Sequence, residues 1–282
     1  MKILKKILKK FIITKKEKIL IPCLEGHLLS ERTALITGSS SGIGFSIAEN
    51  FLKNGARVII TGRNREKLLV AKKQLKKNTG VDNEKIIIGY LDITNFDTLE
   101  DEFNSILSSI NVPIDIFVNN AGINVGSLFP DTDAKDFDTV MNTNVKGTYM
   151  FSQIVANYLI KNNIKGNILN INSSSSLRPA ISPYILSKWC GRALTLGMAK
   201  KYLKYGITVN GIAPGSTATE MLQKNKDNDL FCDYTLTKRY IAPEEIANIA
   251  TVLVSDIGKM IIGDTIYVTG GAGLLTYDDM SY

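Results

Sequence analysis

TALITGSSSGIG, from Thr33 to Gly44, decides the fold of this chain. TALIT (33–37) is a short apolar run, which reads as a buried strand. The glycines that follow are spaced G-x-x-x-G-x-G. Gly38 can make a tight turn, and Gly42 and Gly44 allow a close backbone approach and tight helix–strand packing. The residues from 42 to 54 then read as a helix. A glycine turn between a strand and a helix presents unpaired N–H groups and the positive end of a helix dipole to an anion, here a pyrophosphate. Thr37, Ser40, Ser41 and Ile43 share that turn.

Outward from this turn the chain alternates. RVIIT (57–61) is a strand, 64–77 a helix, KIIIGYLD (85–92) a strand, and a helix follows near 95–110. IDIFV (114–118), NILNIN (167–172), GITVNGI (206–212) and DTIYV (264–268) are further strands. The segments 134–162, 182–204 and 243–256 read as helices. Strands that are apolar throughout and alternate with helices imply an α/β fold with a parallel sheet covered on both faces. Right-handed crossovers make that a doubly wound parallel sheet, the Rossmann fold.

About 140 residues after the glycine turn comes SPYILSK, with Tyr184 and Lys188 four residues apart on one helix face. A phenol titrates near pH ~10 and is a poor base at neutrality. A cation one helical turn away favours its phenolate form. Taken alone, such a pair would be an ordinary surface pair. Beside a phosphate-binding turn it points to acid–base work on an oxygen during hydride transfer.

TGSSSGIG, NNAG (Asn119 to Gly122), NVKG (Asn144 to Gly147), YILSK (Tyr184 to Lys188) and APGSTAT (Ala213 to Thr219) stand in the order and spacing of the short-chain dehydrogenase/reductase family. The chain resembles the compact single-domain branch of that family from about residue 31 to 271, including its 3-oxoacyl thioester reductases. The resemblance implies that Tyr184 is the acid/base and that Lys188 also binds the nicotinamide ribose. It implies that a serine upstream orients the substrate oxygen and that Asn144 relays protons from Lys188 to solvent. Alignment of N-I-N-S selects Ser173, 11 residues before Tyr184 rather than the family's usual 13, so Ser174 and Ser175 stay open. It further implies cofactor contacts from Thr37, Gly38, Ser40, Ser41, Gly42, Ile43 and Gly44 in the turn. Asp92 and Ile93 would lie at the adenine, and Asn119, Ala121 and Gly122 beside the adenosine ribose. Pro214, Gly215, Thr217 and Thr219 would lie at the nicotinamide. Asp92 could also cap a helix, and Asn119 could shape the end of its strand.

The second strand ends Ile60-Thr61-Gly62-Arg63. Gly62 stands where relatives that prefer NAD carry an acid, and Arg63 can pair with a 2′-phosphate through a charge-assisted fork. NADP is therefore expected over NAD, with Ser39, Ser40 and Thr61 as added hydroxyls. The residues from 220 to 240 follow no period and correspond to the family's substrate loop. There Met221, Leu222, Leu230, Phe231 and Tyr234 suggest an apolar lid. The expected substrate is a small carbonyl or alcohol, such as a 3-oxoacyl thioester or ketone. A sugar or polyol dehydrogenase is the alternative, to be favoured by a polar pocket. A nucleotide-binding scaffold without catalysis is the reading from another class, and the intact Ser, Tyr, Lys and Asn set speaks against it.

The chain has 282 residues, 44% hydrophobic and 22% charged, enough for one large domain. Its three cysteines are widely spaced and it has one histidine, so neither a metal site, a disulfide framework nor a Ser-His-Asp triad is suggested. The net charge of +7 is carried by residues 1–18, which hold eight lysines and one acid. The basic balance thus belongs to a tail, and nucleic acid is not an expected partner. In that tail Ile3, Leu4, Ile7, Leu8, Phe11 and Ile12 share one helical face and the lysines the other. Such a segment lies in a membrane interface or packs on a protein surface, but is too short and interrupted to span a bilayer. Residues 1–30 are accordingly read as an extension and linker, and 31–282 as the Rossmann domain. A cytoplasmic homo-oligomer, dimer or tetramer, is expected, with peripheral contact at the inner membrane surface through residues 1–18.

Overall fold

Seven apolar runs become strands: β1 (Thr33–Ile36), β2 (Arg57–Gly62), β3 (Ile86–Tyr90), β4 (Ile116–Asn119), β5 (Asn167–Ile171), β6 (Thr208–Pro214) and β7 (Thr265–Val268). All pair in parallel, in the order β3-β2-β1-β4-β5-β6-β7. Ala34 stands opposite Val58 of β2 on one side and Ile116 of β4 on the other. The winding direction reverses between β1 and β4, and a crevice opens there beyond the carboxyl ends of the strands. This is a doubly wound Rossmann sheet. The computed structural model describes residues 26–219, 230–232, 235–273 and 275. The amphipathic segment, residues 19–25 of the linker, and Met221, Leu222 and Tyr234 of the substrate loop lie outside the described residues.

The connecting helices are α1 (Gly42–Lys53), α2 (Arg65–Thr79), α3 (Leu99–Ser108), α4 (Ala134–Met141), α5 (Thr148–Lys161), α6 (Pro183–Tyr202) and α7 (Pro243–Val254). Side chains alternate along each strand, so each strand feeds both faces. Ala34, Ile36, Val58 and Ile60 pack with Phe45, Ile47 and Phe51 of α1, Leu68 of α2 and Ile246 of α7. Leu35, Ile59, Phe117 and Val209 pack with Phe103 of α3, Phe151 and Val155 of α5 and Met198 of α6. Phe103 meets Phe117, Phe151 and Tyr158 in tilted and edge-on pairs with centroids 5.5–6.0 Å apart. Truncating one of these rings should cost about 3–5 kcal/mol.

Local chemistry sets where the helices begin. Asn64 accepts from Lys67 N at 2.9 Å and caps α2, which ends at Gly80 with φ 68°. Ser182 accepts from Ile185 N at 3.2 Å, and Pro183 opens α6. This start places Tyr184 in the first turn of the helix.

The long helix expected over 134–162 is interrupted. Between α4 and α5, Asn142–Gly147 form a π-helical turn. A Cβ on Gly147 would lie 2.7 Å from Ile93 O, so only glycine lets the helix touch the loop that follows β3 here. Asn144 turns inward at the same place. Among the described residues no helix is long and apolar enough to cross a membrane.

Candidate active site

The carboxyl ends of β1, β2 and β4 frame a cleft of about 800 Å³, at the upper end for small-molecule sites. The glycine turn forms its floor. Gly38 and Gly42 have φ of 61° and 59°, which side chains rarely adopt. A Cβ on Gly44 would stand 2.4 Å from Asn120 Nδ2. Asn120 holds the turn by donating to Thr37 O at 3.0 Å and Gly38 O at 2.9 Å. Thr37 Oγ1 accepts from Asn120 N and Ala121 N, each at 3.0 Å, tying β1 to the NNAG turn. Ser40, Ser41, Gly42 and Ile43 line the cleft. Ser41 caps α1 without a side-chain bond, and no acid stands in its first turn. Here the residues fit a bound phosphate: backbone comes close, the first turn of a helix has N–H groups without helical partners, and no carboxylate stands in that turn to oppose an anion.

Ser39 and Thr61 do not take the outward role expected of them. Both are fully buried. Their hydroxyls donate to Ile36 O at 2.8 and 3.0 Å, and Ser39 Oγ accepts from Thr61 N at 2.9 Å. They stabilise the turn from inside.

The end of the cleft beyond β2 is bounded by Gly62, Arg63, Asn64, Lys67, Asp92 and Ile93. Arg63 is exposed at the rim, and Lys67 stands beside it from the first turn of α2. Asp92 Oδ1 accepts from Thr94 N at 3.0 Å and Thr94 Oγ1 at 2.7 Å, which makes a turn rather than a helix cap. Its Oδ2 makes no bond among the described residues and is available for an amino group. Asn119 is turned away from the cleft. Its Nδ2 donates to Ser152 Oγ at 2.9 Å and Asn170 Oδ1 at 2.8 Å, so it shapes the strand end. Its neighbour Asn120 faces the cleft instead. Among the described residues the charged lining is Arg63, Lys67 and Lys188 against Asp92, a balance that suits a polyanion.

At the far end stand Tyr184 and Lys188, both on the cleft wall. Lys188 Nζ lies 5.4 Å from the centroid of the Tyr184 ring and donates to Ile171 O at 3.3 Å. Two of its three donors remain for other partners. A Cβ on Gly122 would meet Asn144 Oδ1 at 3.3 Å and Lys188 Nζ at 3.7 Å, so Gly122 separates the two. Asn144 Nδ2 donates to Ile123 O at 2.9 Å and Ser187 Oγ at 3.0 Å, and its Oδ1 accepts from Ile123 N at 2.8 Å. The π turn thus lets one amide join the NNAG loop to α6 just beneath Lys188.

Ser173 is buried and caps a short 3₁₀ turn, Ser174–Leu177, its Oγ accepting from Ser175 N at 3.1 Å. Its own proton has no acceptor among the described residues. Ser176 is turned inward, donating to Ser173 O at 2.8 Å. Pro214 ends β6, and Gly215 just after it donates from N to Val268 O at 2.9 Å. Thr217 is buried and donates to Gly215 O at 3.0 Å, whereas Thr219 reaches the cleft, with its methyl about van der Waals distance from where a Cβ on Gly42 would stand.

Lys67, Phe96, Asn120, Thr143 and Asn172 also line the cleft and were not singled out in the sequence. Lys67 had a signal: it follows a good capping residue, Asn64, by three positions, and so belongs to the first turn above Arg63. Phe96 comes from a turn that the sequence reads as helix. Its ring is covered by Lys146 Nζ, 3.9 Å from the centroid.

Comparison with known proteins agrees with this fold. The family model for short chain dehydrogenases matches residues 32–230. Gluconate 5-dehydrogenase of Gluconobacter oxydans is 34% identical over 249 residues, covering 86% of this chain and 95% of the relative. The 3-oxoacyl-(acyl-carrier-protein) reductase of Chlamydia trachomatis is 34% identical over 248 residues, covering 86% and 98%. Among solved structures, a gluconate 5-dehydrogenase from Burkholderia cenocepacia in complex with NADP and tartrate superposes with a TM-score of 0.77 at 31% identity, covering 87% and 96%.

Proposed function

Because the chain belongs to the short-chain dehydrogenase family of oxidoreductases, we propose that it transfers a hydride between NADP(H) and a carbonyl or secondary alcohol. The observation that carries this reading is the Tyr184–Lys188 pair, set at the end of a cleft whose floor is the glycine turn. When bound, the nicotinamide supplies or accepts the hydride at the substrate carbon. Tyr184 gives its proton to the carbonyl oxygen as that oxygen gains negative charge, or removes it in the reverse direction. Lys188 stabilises the phenolate left behind and keeps two donors for a ribose. Ser173 donates its free proton to the same substrate oxygen. Asn144 retains a lone pair on Oδ1 for a water that passes protons from Lys188 to solvent. Arg63, with Lys67, selects the 2′-phosphate, and Asp92 Oδ2 receives an adenine amino group.

Within that activity a hydroxylated sugar acid is favoured over a 3-oxoacyl thioester. The cleft that holds Tyr184 is also lined by Thr139, Asn142, Thr143 and Asn172, polar side chains of the kind that suit a polyol. Both the Gluconobacter oxydans and Burkholderia cenocepacia relatives are gluconate 5-dehydrogenases. Tyr149, Leu186, Trp189 and Leu196 are exposed apolar residues on α5 and α6, and support a homo-oligomer, dimer or tetramer, joined through those helices. Residues 1–30 are an extension ahead of a Rossmann domain over 31–282. Its basic amphipathic part, residues 1–18, attaches the cytoplasmic oligomer to an anionic membrane surface. Unchanged binding of a chain lacking residues 1–18 to anionic liposomes would overturn that attachment.

The test of the activity is titration with NADPH and NADH, then cofactor oxidation against keto sugar acids, 3-oxoacyl thioesters and simple ketones, with Tyr184→Phe as control. Turnover with NADPH that disappears in the variant is expected. NADPH binding without turnover in either direction would leave the scaffold reading instead.

A further inference from the structure

The loop that carries Thr219 is held from behind by a charged pair outside the cleft lining. Arg239 donates from Nη1 to Glu245 Oε2 and from Nη2 to Glu245 Oε1, each at 2.7 Å. Arg239 Nη1 also donates to Tyr240 O at 3.1 Å. Glu245 is the third residue of α7, and its Oε2 accepts from Ala242 N at 2.9 Å. One carboxylate therefore caps α7 and fixes the strand-like segment ahead of it. The guanidinium holds the Glu245 carboxyl below the usual carboxylate range, against the opposing effect of burial.

That segment is what positions the cofactor loop. Ile241 forms a parallel bridge with Thr217. Ile241 N donates to Ser216 O and Ala218 N donates to Ile241 O, both at 2.9 Å. The Ile241 side chain also stands 3.2 Å from where a Cβ on Gly215 would be. Beyond the fork, α7 is tied to α1 by Thr251 Oγ1 donating to Asn50 Oδ1 at 2.5 Å and Asn50 Nδ2 donating to Asn248 Oδ1 at 3.0 Å. α1 begins at the phosphate turn. The connection runs from Thr219 through Ile241, Arg239, Glu245 and α7 to the helix that receives the pyrophosphate.

We propose that the Arg239–Glu245 fork is a positioning device for the nicotinamide half of the cofactor, setting the Thr219 loop at a fixed distance from the phosphate turn. This rests on the NADP(H) reading above. Neither side chain lines the cleft, so the effect acts through the loop. It follows that loss of the fork weakens the grip on the nicotinamide end and spares the adenosine end.

The test compares NADPH with 2′,5′-ADP, which keeps the adenosine and its phosphates but lacks nicotinamide. Affinities are measured on the full chain for wild type, Arg239→Ala, Glu245→Gln and Arg239→Lys, beside thermal unfolding. Arg239→Ala should weaken NADPH about tenfold, the scale of a lost charge-assisted bond, and leave 2′,5′-ADP unchanged. KM for NADPH should rise more than kcat falls. Arg239→Lys should recover part of the loss, since an ammonium keeps the charge but not the two-pronged geometry. Equal loss of both ligands, or of neither, in a folded variant would overturn the proposal. Should Arg239→Ala not fold, Glu245→Gln carries the same comparison, because its amide oxygen still caps Ala242. A wild-type chain that binds 2′,5′-ADP but not NADPH would overturn this proposal and leave a nucleotide site. One that binds neither would overturn the NADP(H) reading itself.

Discussion

The two ends of the parallel sheet use similar residues for opposite purposes. At the amino ends of β1, β4 and β5, Arg32 pairs with Asp115 and donates to Asn167 Oδ1 at 2.6 Å and Val254 O at 3.3 Å. Asp115 Oδ1 accepts from Thr33 N at 2.9 Å, and Asn167 Nδ2 donates to Thr208 Oγ1 at 2.6 Å. These polar groups are matched to one another. At the carboxyl ends, Lys188, Ser173 and Asp92 each keep a donor or acceptor unmatched within the described residues. Charge alone therefore does not mark the functional end. What differs is chain direction: at the carboxyl ends the chain leaves strands and enters helices, so free N–H groups and glycine turns collect there.

The strongest way to break this contrast is Tyr184→Phe. It should reduce kcat by roughly 10³-fold while leaving NADPH affinity and the urea midpoint unchanged, as steady-state kinetics and denaturation would report. A variant that lost stability along with activity would make the cleft end structural too. The converse change is Arg32→Ala. It leaves Asp115 without its partner, and the pair is mostly buried, with side chains 23% and 18% exposed. Unfolding in urea should show a loss of about 2 kcal/mol after allowance for partial solvent screening, with kcat/KM unchanged at temperatures where the protein stays folded.

A finer test lies along the cleft itself. Arg63→Ala should weaken NADPH about tenfold and NADH hardly at all, and the difference should shrink as salt rises, because Arg63 is exposed. Fluorescence titration at low and high ionic strength measures both. Smallest is the pH response of the Arg239–Glu245 pair. Glu245 is held below its ordinary value of 4.5, chiefly by the hydrogen bonds from Arg239. A depressed carboxyl stabilises the fold above the unfolded value and loses that contribution as pH falls through the folded one. The stability gap between wild type and Glu245→Gln should thus be constant from neutrality to about pH 5 and close below the ordinary carboxylate range, as unfolding midpoints across that range would show.

How much of this was legible beforehand depends on how local each signal was. The glycine turn, the Tyr184–Lys188 spacing and the alternation of strands with helices carry their meaning within short stretches, and the cleft is built on them. Asn119 ends β4 and Asn120 follows it, and the two side chains take opposite sides of the chain. Asn119 shares its face with Phe117, which packs with α3 and α5, so strand periodicity could have assigned it inward. Ser39 and Thr61 look like ligands by composition, but lie where two strands meet, and each hydroxyl there is needed by the backbone.

The sequence by itself determined the fold class, the glycine turn between a strand and a helix, and the placing of Tyr184 and Lys188 on one helix face, because each is written in adjacent or one-turn spacing that backbone geometry converts directly into position. Only the tertiary structure decided that Lys67 joins Arg63, that a π turn carries Asn144 beneath Lys188, and that a fork on α7 holds the Thr219 loop. Those contacts join residues from separate elements, and their distances follow from how helices pack on the sheet rather than from any local pattern.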